Sequence, residues 1–344
     1  VAKGWRKSVH CIMLNAMHSS LSQTVRALNT AAAAAVLLGL AAPLGAQGAV
    51  DPNVAPRAAE LERIGERQLG TEMLGRYLAV AQSDGRAWFL LARFYRLDAR
   101  DWHRSGHRTS PDAELYLALS DVAIEEAAKL EVDSAPLYGA LVAVDRALVT
   151  IEEQGWAHIA GSSVLPPLPP LVLELGRNLV ANCPRSGVIL AGSELEGVAV
   201  WYGVMGVGGR GDLLPVRPDL YAIDGRYRTQ TARALGVSDS LGIRPALAAA
   251  SAARAICLTP NADSTLLPDE QPRIERLVRI IGPGEVPANA GLGFTQLVLD
   301  QQTGSSVWSR DVLTVYGVAS RRNPLLCRSL ASVAGVLPGG ACRP

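Results

Sequence analysis

Glu194 and Glu196, in the run Gly192-Ser193-Glu194-Leu195-Glu196, are the side chains whose types and spacing best suit acid–base chemistry in this chain. A carboxylic acid and a carboxylate within reach of one bond can donate and accept a proton in turn, the chemistry of hydrolases and glycan-active enzymes. Downstream, Arg210, Arg217, Arg226 and Arg228 interleave with Asp212, Asp219 and Asp224. Guanidinium forks at that density can clamp a phosphate or carboxylate, and mutual ion pairs account for them equally well. A small anionic or sugar ligand would then meet Gly192, Ser193, Glu194, Glu196, Arg210 and Asp212. The run Gly206-Val207-Gly208-Gly209-Arg210-Gly211 has the spacing GxGxxG, but a dinucleotide site needs it to leave a strand and open a helix. Here it follows a helical pattern and runs toward Pro215. The glycines are therefore expected to end a helix, and no cofactor is expected. Arg210-Gly211-Asp212 is too short a match to carry an adhesion function.

His103 and His107, beside Trp102, stand four apart, a spacing that on a helix turns two imidazoles to one side for a metal. Ser105 and Gly106 oppose a helix there and no Glu follows the first His, so a solvated loop and no metal are expected. Past residue 46 the remaining histidine is His158, which leaves 171–344 without an imidazole for a Ser-His-Asp or Cys-His centre. The chain is therefore expected to be non-catalytic. The alternatives are an envelope hydrolase or glycan-active enzyme on the carboxylates of 192–196, or a module binding a small anion or sugar.

The first 46 residues read as an address. Ala31–Leu44 is an apolar run of signal-peptide length, shorter than the roughly 20 residues of a membrane span. Arg26 precedes it and Leu44-Gly45-Ala46 ends in small residues, which places cleavage after Ala46. Met17 would give a leader of ordinary length, so the residues before it read as an over-long start. The expected location is the periplasm or the extracellular space of a bacterium, with membrane contact only through partners or an uncleaved signal. The leader carries Lys3, Arg6, Lys7 and Arg26 and no acid, so the net charge of +1 turns mildly acidic on its removal. That balance excludes a nucleic-acid partner. With 49% hydrophobic and 19% charged residues the chain is globular, and its length allows two domains. Export also gives meaning to Cys183, Cys257, Cys327 and Cys342. Four cysteines allow three connectivities; the expected one joins Cys183 to Cys257 and Cys327 to Cys342.

The elements that must position these residues are mostly helices. Residues 47–160 are helical in pattern, with candidate helices up to Leu69 and over Met73–Ala81, and breaks at Gly70 and Ser83-Asp84-Gly85. Trp88, Leu91, Ala92 and Tyr95 follow the offsets W-x2-L with a small residue and then Tyr, and Ala127, Leu130 and Ala135 close a second helix after an insertion over Asp98–Pro111. A third helix, Ala135–Glu152, carries Tyr138 and Leu141 at first-helix positions. These residues resemble tetratricopeptide repeats, clean in one helix and eroded elsewhere, with Val132 where the repeat has a proline. The resemblance implies a protein-interaction surface around Trp88, Tyr95 and Tyr138, with other envelope proteins as partners.

Gly161–Pro170, with two proline pairs, reads as a stiff connector between domains. Residues 171–344 then read as a small α/β domain: a helix over Leu171–Ala181, an apolar strand over Gly187–Ala191, a helix from Glu194 to about Met205, and a second strand in Asp212–Val216 or Asp219–Asp224. A helix, strand, helix, strand order implies a short parallel sheet. Beyond it, helices are expected over Pro245–Cys257, at Ile274, Leu277, Val278 and Ile281 by their i, i+3, i+4, i+7 spacing, around Trp308–Ala319, and over Leu325–Val336.

Val188-Ile189-Leu190-Ala191-Gly192, the pair Trp201-Tyr202, and Arg210-Gly211-Asp212-Leu213 followed by Val216 stand in the order of a strand, turn, aromatic pair and second strand. That stretch of about fifty residues resembles the C-terminal soluble module of bacterial membrane proteins similar to protein O-mannosyltransferases. The family's acidic turn is here Ser193-Glu194-Leu195-Glu196, with one extra residue before the Trp. The resemblance implies a homologous soluble module with a small polar ligand near Gly192–Glu196. It implies no transferase activity, since the membrane-embedded transferase part is missing.

Overall fold

The computed structural model describes residues 53–105, 111–159, 165–206, 208–266, 271–288, 290–304 and 306–332. Among them are thirteen α-helices and five strands, so the fold is mostly α with a small α/β part. None of the described helices is long and apolar enough to cross a membrane. The expected signal peptide, His107 and Cys342 lie outside the described residues. The chain divides into two compact units between Ala135 and Pro136.

The first unit is a helical array of α1 (Val54–Arg63), α2 (Arg67–Leu78), α3 (Gly85–Arg104) and α4 (Pro111–Lys129). Its first break falls at Gly65, whose φ of +89° suits glycine, and not at Gly70. Gly70 lies inside α2, where a Cβ would stand 2.8 Å from the Phe94 ring, so the missing side chain lets α2 and α3 close on each other. Asp84 caps α3 by accepting from the Ala87 amide. That helix runs on to Arg104, so the first half of the expected insertion, His103 included, is helical. Arg67 fixes α2 to α3 through Asp98 and Asp101. Gly85 lies against Leu130 and Val132, Ala92 accepts from Ser120, and the Tyr95 ring stands by Tyr116. Those contacts descend along α4 as they ascend along α3, which makes the pair antiparallel. Trp88 and Tyr95 are half-buried and pack against this unit's own core.

The second unit begins with α5 (Ala135–Gln154), whose Leu137, Leu141, Leu148 and Ile151 join the core of the α/β part. By packing, the division of the chain therefore comes about 25 residues before the proline stretch read as a connector. Tyr138 belongs to this second core, not to that of Trp88 and Tyr95. Leu165–Pro169 is neither helix nor strand, and Pro170 opens α6 (Pro170–Ala181) at a position where its missing N–H costs nothing. There follow β1 (Val188–Leu190), α7 (Glu194–Met205), β2 (Leu214–Val216), α8 (Pro218–Ile223), α9 (Gly225–Leu235), α10 (Ile243–Ser251), β3 (Ile256–Leu258), β4 (Arg273–Glu275), β5 (Val278–Ile281), α11 (Thr295–Thr303), α12 (Ser309–Ser320) and α13 (Pro324–Ser332).

The strands form one sheet in the order β2-β1-β3-β5-β4. β1 is parallel to both β2 and β3, whereas β5 is antiparallel to β3 and β4. The sheet is thus mixed and not purely parallel. One expected helix ends early and gives way to a strand, and another is a pair of strands. Pro245–Cys257 is helical only to Ser251, after which Ile256–Leu258 enters the sheet centre, fully buried. Arg273–Ile281 is a hairpin: Arg276, at φ +49°, turns the chain, and Val278–Ile281 is buried along its whole length. Asp219–Asp224, one of two places read for the second strand, is mostly the short helix α8.

α6 and α7 cross on small residues. A Cβ on Gly176 would stand 2.1 Å from the Ala199 carbonyl oxygen, and one on Gly203 would stand 2.8 Å from the Gly176 carbonyl oxygen. Gly176→Ala is expected to force the two helices apart and cost about 1–3 kcal/mol, read by chemical denaturation of the variant beside the parent. On its other side α6 carries two buried polar latches. The Glu174 carboxylate accepts from the Gln296 and Leu297 amides at the start of α11, and Asn178 exchanges bonds with Gly293 and donates to the Tyr316 hydroxyl.

Candidate functional site

The residues chosen from sequence divide between the two edges of the sheet. Gly192, Ser193, Glu194 and Glu196 follow the carboxyl end of β1, while Arg210 and Asp212 precede β2. Since β1 and β2 are parallel, these groups stand at opposite ends of the strands.

At the carboxyl edge, Ser193 caps α7, its Oγ accepting from the Glu196 amide at 3.2 Å. Glu196 is fully buried. One carboxylate oxygen accepts from the Gly192 amide at 3.1 Å and from the Ser193 hydroxyl at 3.3 Å; the other accepts from the Asn261 amide at 3.1 Å. Burial pushes the Glu196 carboxyl above the usual carboxylate range, against the pull of its hydrogen bonds from Asn261, Thr259, Gly192 and Ser193. The pattern Ser-x-x-Glu is the sequence signature of a capping box, and it was available in Ser193-Glu194-Leu195-Glu196. The two glutamates thus stand on the first turn of a helix, and only Glu194 is exposed.

This edge is also where an open α/β sheet ordinarily receives a ligand. β1 feeds β2 on one side and β3 lies on the other, so the carboxyl ends of β1 and β3 flank a topological switch point. Here the chain fills that crevice itself. A Cβ on Gly192 would stand 2.0 Å from the Asn261 carbonyl carbon, so the loops after β1 and β3 meet backbone to backbone. The Gly192 amide also reaches the Thr259 hydroxyl at 3.1 Å. Arg279 and Arg322 brace the β3 loop by donating to the Ala262 and Pro260 carbonyls.

At the amino edge, Arg210 and Asp212 form a two-pronged ion pair, Nε to Oδ1 at 2.7 Å and Nη2 to Oδ2 at 2.8 Å. The Arg210 hydrogen bond holds the Asp212 carboxyl down at about 2. Arg210 also caps the end of α6 through the Val180 and Cys183 carbonyls, and Asp212 accepts from the Ser186 amide. Arg217 pairs with Asp219 in the same way, and Asp224 caps α9 through the Arg226 and Tyr227 amides. Two of the four arginines, Arg210 and Arg217, are thus paired with Asp212 and Asp219, while Asp224 is bound by backbone amides. The GxGxxG run follows the end of α7 and leads to β2, not into a helix.

Cys183 and Cys257 form a disulfide joining the end of α6 to the central strand β3. Trp201 is buried, with its ring 6.3 Å from that of Trp156. Among the described residues no group of three or more His, Cys, Asp or Glu side chains is placed to hold a metal.

The chain matches no protein-family model, no curated protein and no solved structure.

A concavity that sequence reasoning missed opens beside the amino edge of the sheet, with a volume of about 1120 Å³. Its walls are the Leu165–Leu168 segment, one face of α6, the end of α7 and the glycine-rich loop that follows. Only its wall on α6 follows a helical period; the rest of its lining comes from segments up to about 125 residues apart.

Proposed function

We propose that this is an exported, non-catalytic protein of the cell envelope that works by binding other envelope proteins, its helical unit supplying the interaction surface. The observation that carries this reading is the fate of Glu196. As one half of an acid–base pair it would need to face a substrate, yet its carboxylate is spent on the amides of Gly192 and Asn261 and the Ser193 hydroxyl. That use favours the binding reading over the hydrolase or glycan-active alternative. The Cys183–Cys257 disulfide supports export, since such bonds persist in oxidising compartments.

In the helical unit, the antiparallel α3–α4 pair is compatible with a tetratricopeptide-like hairpin, although Trp88 and Tyr95 are half-buried in its packing. The exposed apolar side chains are others. Ile64, Leu69 and Val80 are 57%, 50% and 64% exposed around the ends of α1 and α2. Changing these three to Ser is expected to leave stability within about 0.5 kcal/mol per site, since each is a surface position. In vivo crosslinking of the exported chain should then lose the partners captured by the parent. Unchanged crosslinks would remove that surface from the proposal. Loss of the cellular phenotype in Glu194→Ala, with folding and crosslinks intact, would favour the enzyme reading.

A further inference from the structure

Going beyond that reading, we propose that the concavity beside the amino edge of the sheet binds a small anionic amphiphile, an apolar tail carrying one carboxylate or phosphate head. Its floor is one helix face: Leu173, Arg177 and Val180 stand at i, i+4 and i+7 along α6, and all three line the space. Leu168 and Met205 extend the apolar lining, and the Tyr202 ring closes it, its hydroxyl donating to the Pro166 carbonyl at 2.7 Å. A space of this size, mainly apolar with a few polar groups at its margin, has the character of a small-molecule site.

The charge around it says which end of the ligand meets the rim. Arg177, Arg185 and Arg210 line the concavity against a single acid, Asp212. Arg210 and Asp212 satisfy each other. Arg177 and Arg185 are exposed and have no side-chain partner among the described residues. Two guanidinium forks beside an apolar floor suit an oxyanion, which they can grip through paired N–H donors. The rim is also strained at one point: Ser186, a non-glycine residue, sits at φ +55°, its amide held by Asp212. Backbone kept in that region concentrates at ligand sites.

The test titrates the full chain by calorimetry with dodecanoate, dodecyl phosphate and the neutral dodecanol. It is repeated with vesicles of phosphatidylglycerol, scored by co-sedimentation. The expected result is saturable one-to-one binding of both anionic amphiphiles, with dodecanol at least about tenfold weaker. Arg177→Ala with Arg185→Ala, both at exposed positions, should bring the anions down to the level of dodecanol. Leu173→Glu should abolish binding of all three while the variant keeps its cooperative melt. Equal affinity for dodecanol and dodecanoate, anion binding untouched by the arginine changes, or no binding of any amphiphile would overturn the proposal. Binding to vesicles alone would replace it with membrane-surface adsorption.

Discussion

Glu196→Ala should destabilise the α/β unit by about 3–4 kcal/mol, the sum of one orphaned buried donor, lost hydrogen bonds and a small cavity. Its carboxylate ties three points together: the Gly192 amide after β1, the Asn261 amide after β3, and the Ser193 hydroxyl at the cap of α7. Truncation leaves the Gly192 amide with the Thr259 hydroxyl and the Asn261 amide without its carboxylate acceptor. Thermal unfolding should show a melting point about 10 °C lower, and a shift under about 2 °C would show that the latch is dispensable. The pH dependence gives a separate reading. Because burial raises the Glu196 carboxyl in the folded state, the folded chain holds a proton there that the unfolded chain has released. The stability this contributes is complete below the ordinary carboxylate value and is lost as pH rises through the higher folded value. Glu196→Gln cannot titrate, so the stability of the parent minus that of Glu196→Gln should fall with rising pH across that window. Asp212, held at about 2 by Arg210, titrates lower and is present in both proteins, so it cancels in the difference.

The strand–helix–strand passage was legible because its signals are local and agree. An all-apolar run and a glycine stop bracket β1 and α7 within twenty residues, and β2 falls at one of the two places read for the second strand. The hairpin of β4 and β5 was not legible, since Ile274, Leu277, Val278 and Ile281 satisfy a helical stripe as well as they satisfy two short strands. Pairing with β3 decides between them, and that contact is remote in sequence. β3 was hidden for a related reason: three residues after an alanine-rich helix are too few to show a period of two. In the helical unit the first break was read at Gly70 instead of Gly65, because a glycine that ends a helix and one that admits a neighbouring ring look alike in sequence. The proposed ligand residues Gly192–Glu196 and Arg210–Asp212 share about twenty positions of chain, but the parallel register of β1 and β2 sends them to opposite edges. Proximity in sequence had stood in for proximity in space.

Replacing Cys183 and Cys257 together by Ser should cost the α/β unit about 4 kcal/mol, chiefly through the unfolded chain. The two residues are 74 apart, and a loop of that length, once cross-linked, has lost closure entropy worth about 4 kcal/mol. The bridge acts at the contact that needs it most. β1 and β3 pair in parallel through Val188–Ile256 and Leu190–Leu258, only three residues each, and the whole segment from α7 to α10 intervenes. So short a parallel pairing gives little local reward for bringing distant segments together. With the bridge in place, the ends of that segment stay together even in the unfolded chain. The double variant should melt about 10 °C below the parent, and adding reductant to the parent should produce a drop of at least that size. Changing both cysteines at once avoids leaving a lone thiol in the core, which would confuse the comparison. A melting point within about 2 °C of the parent would show that packing around Ile189, Ile256 and Ile280 suffices without the bridge. If the larger drop is observed, the same chain made in a reducing compartment should fold in lower yield than the exported chain. Soluble yield from the two compartments would then link the disulfide to the proposed site of action.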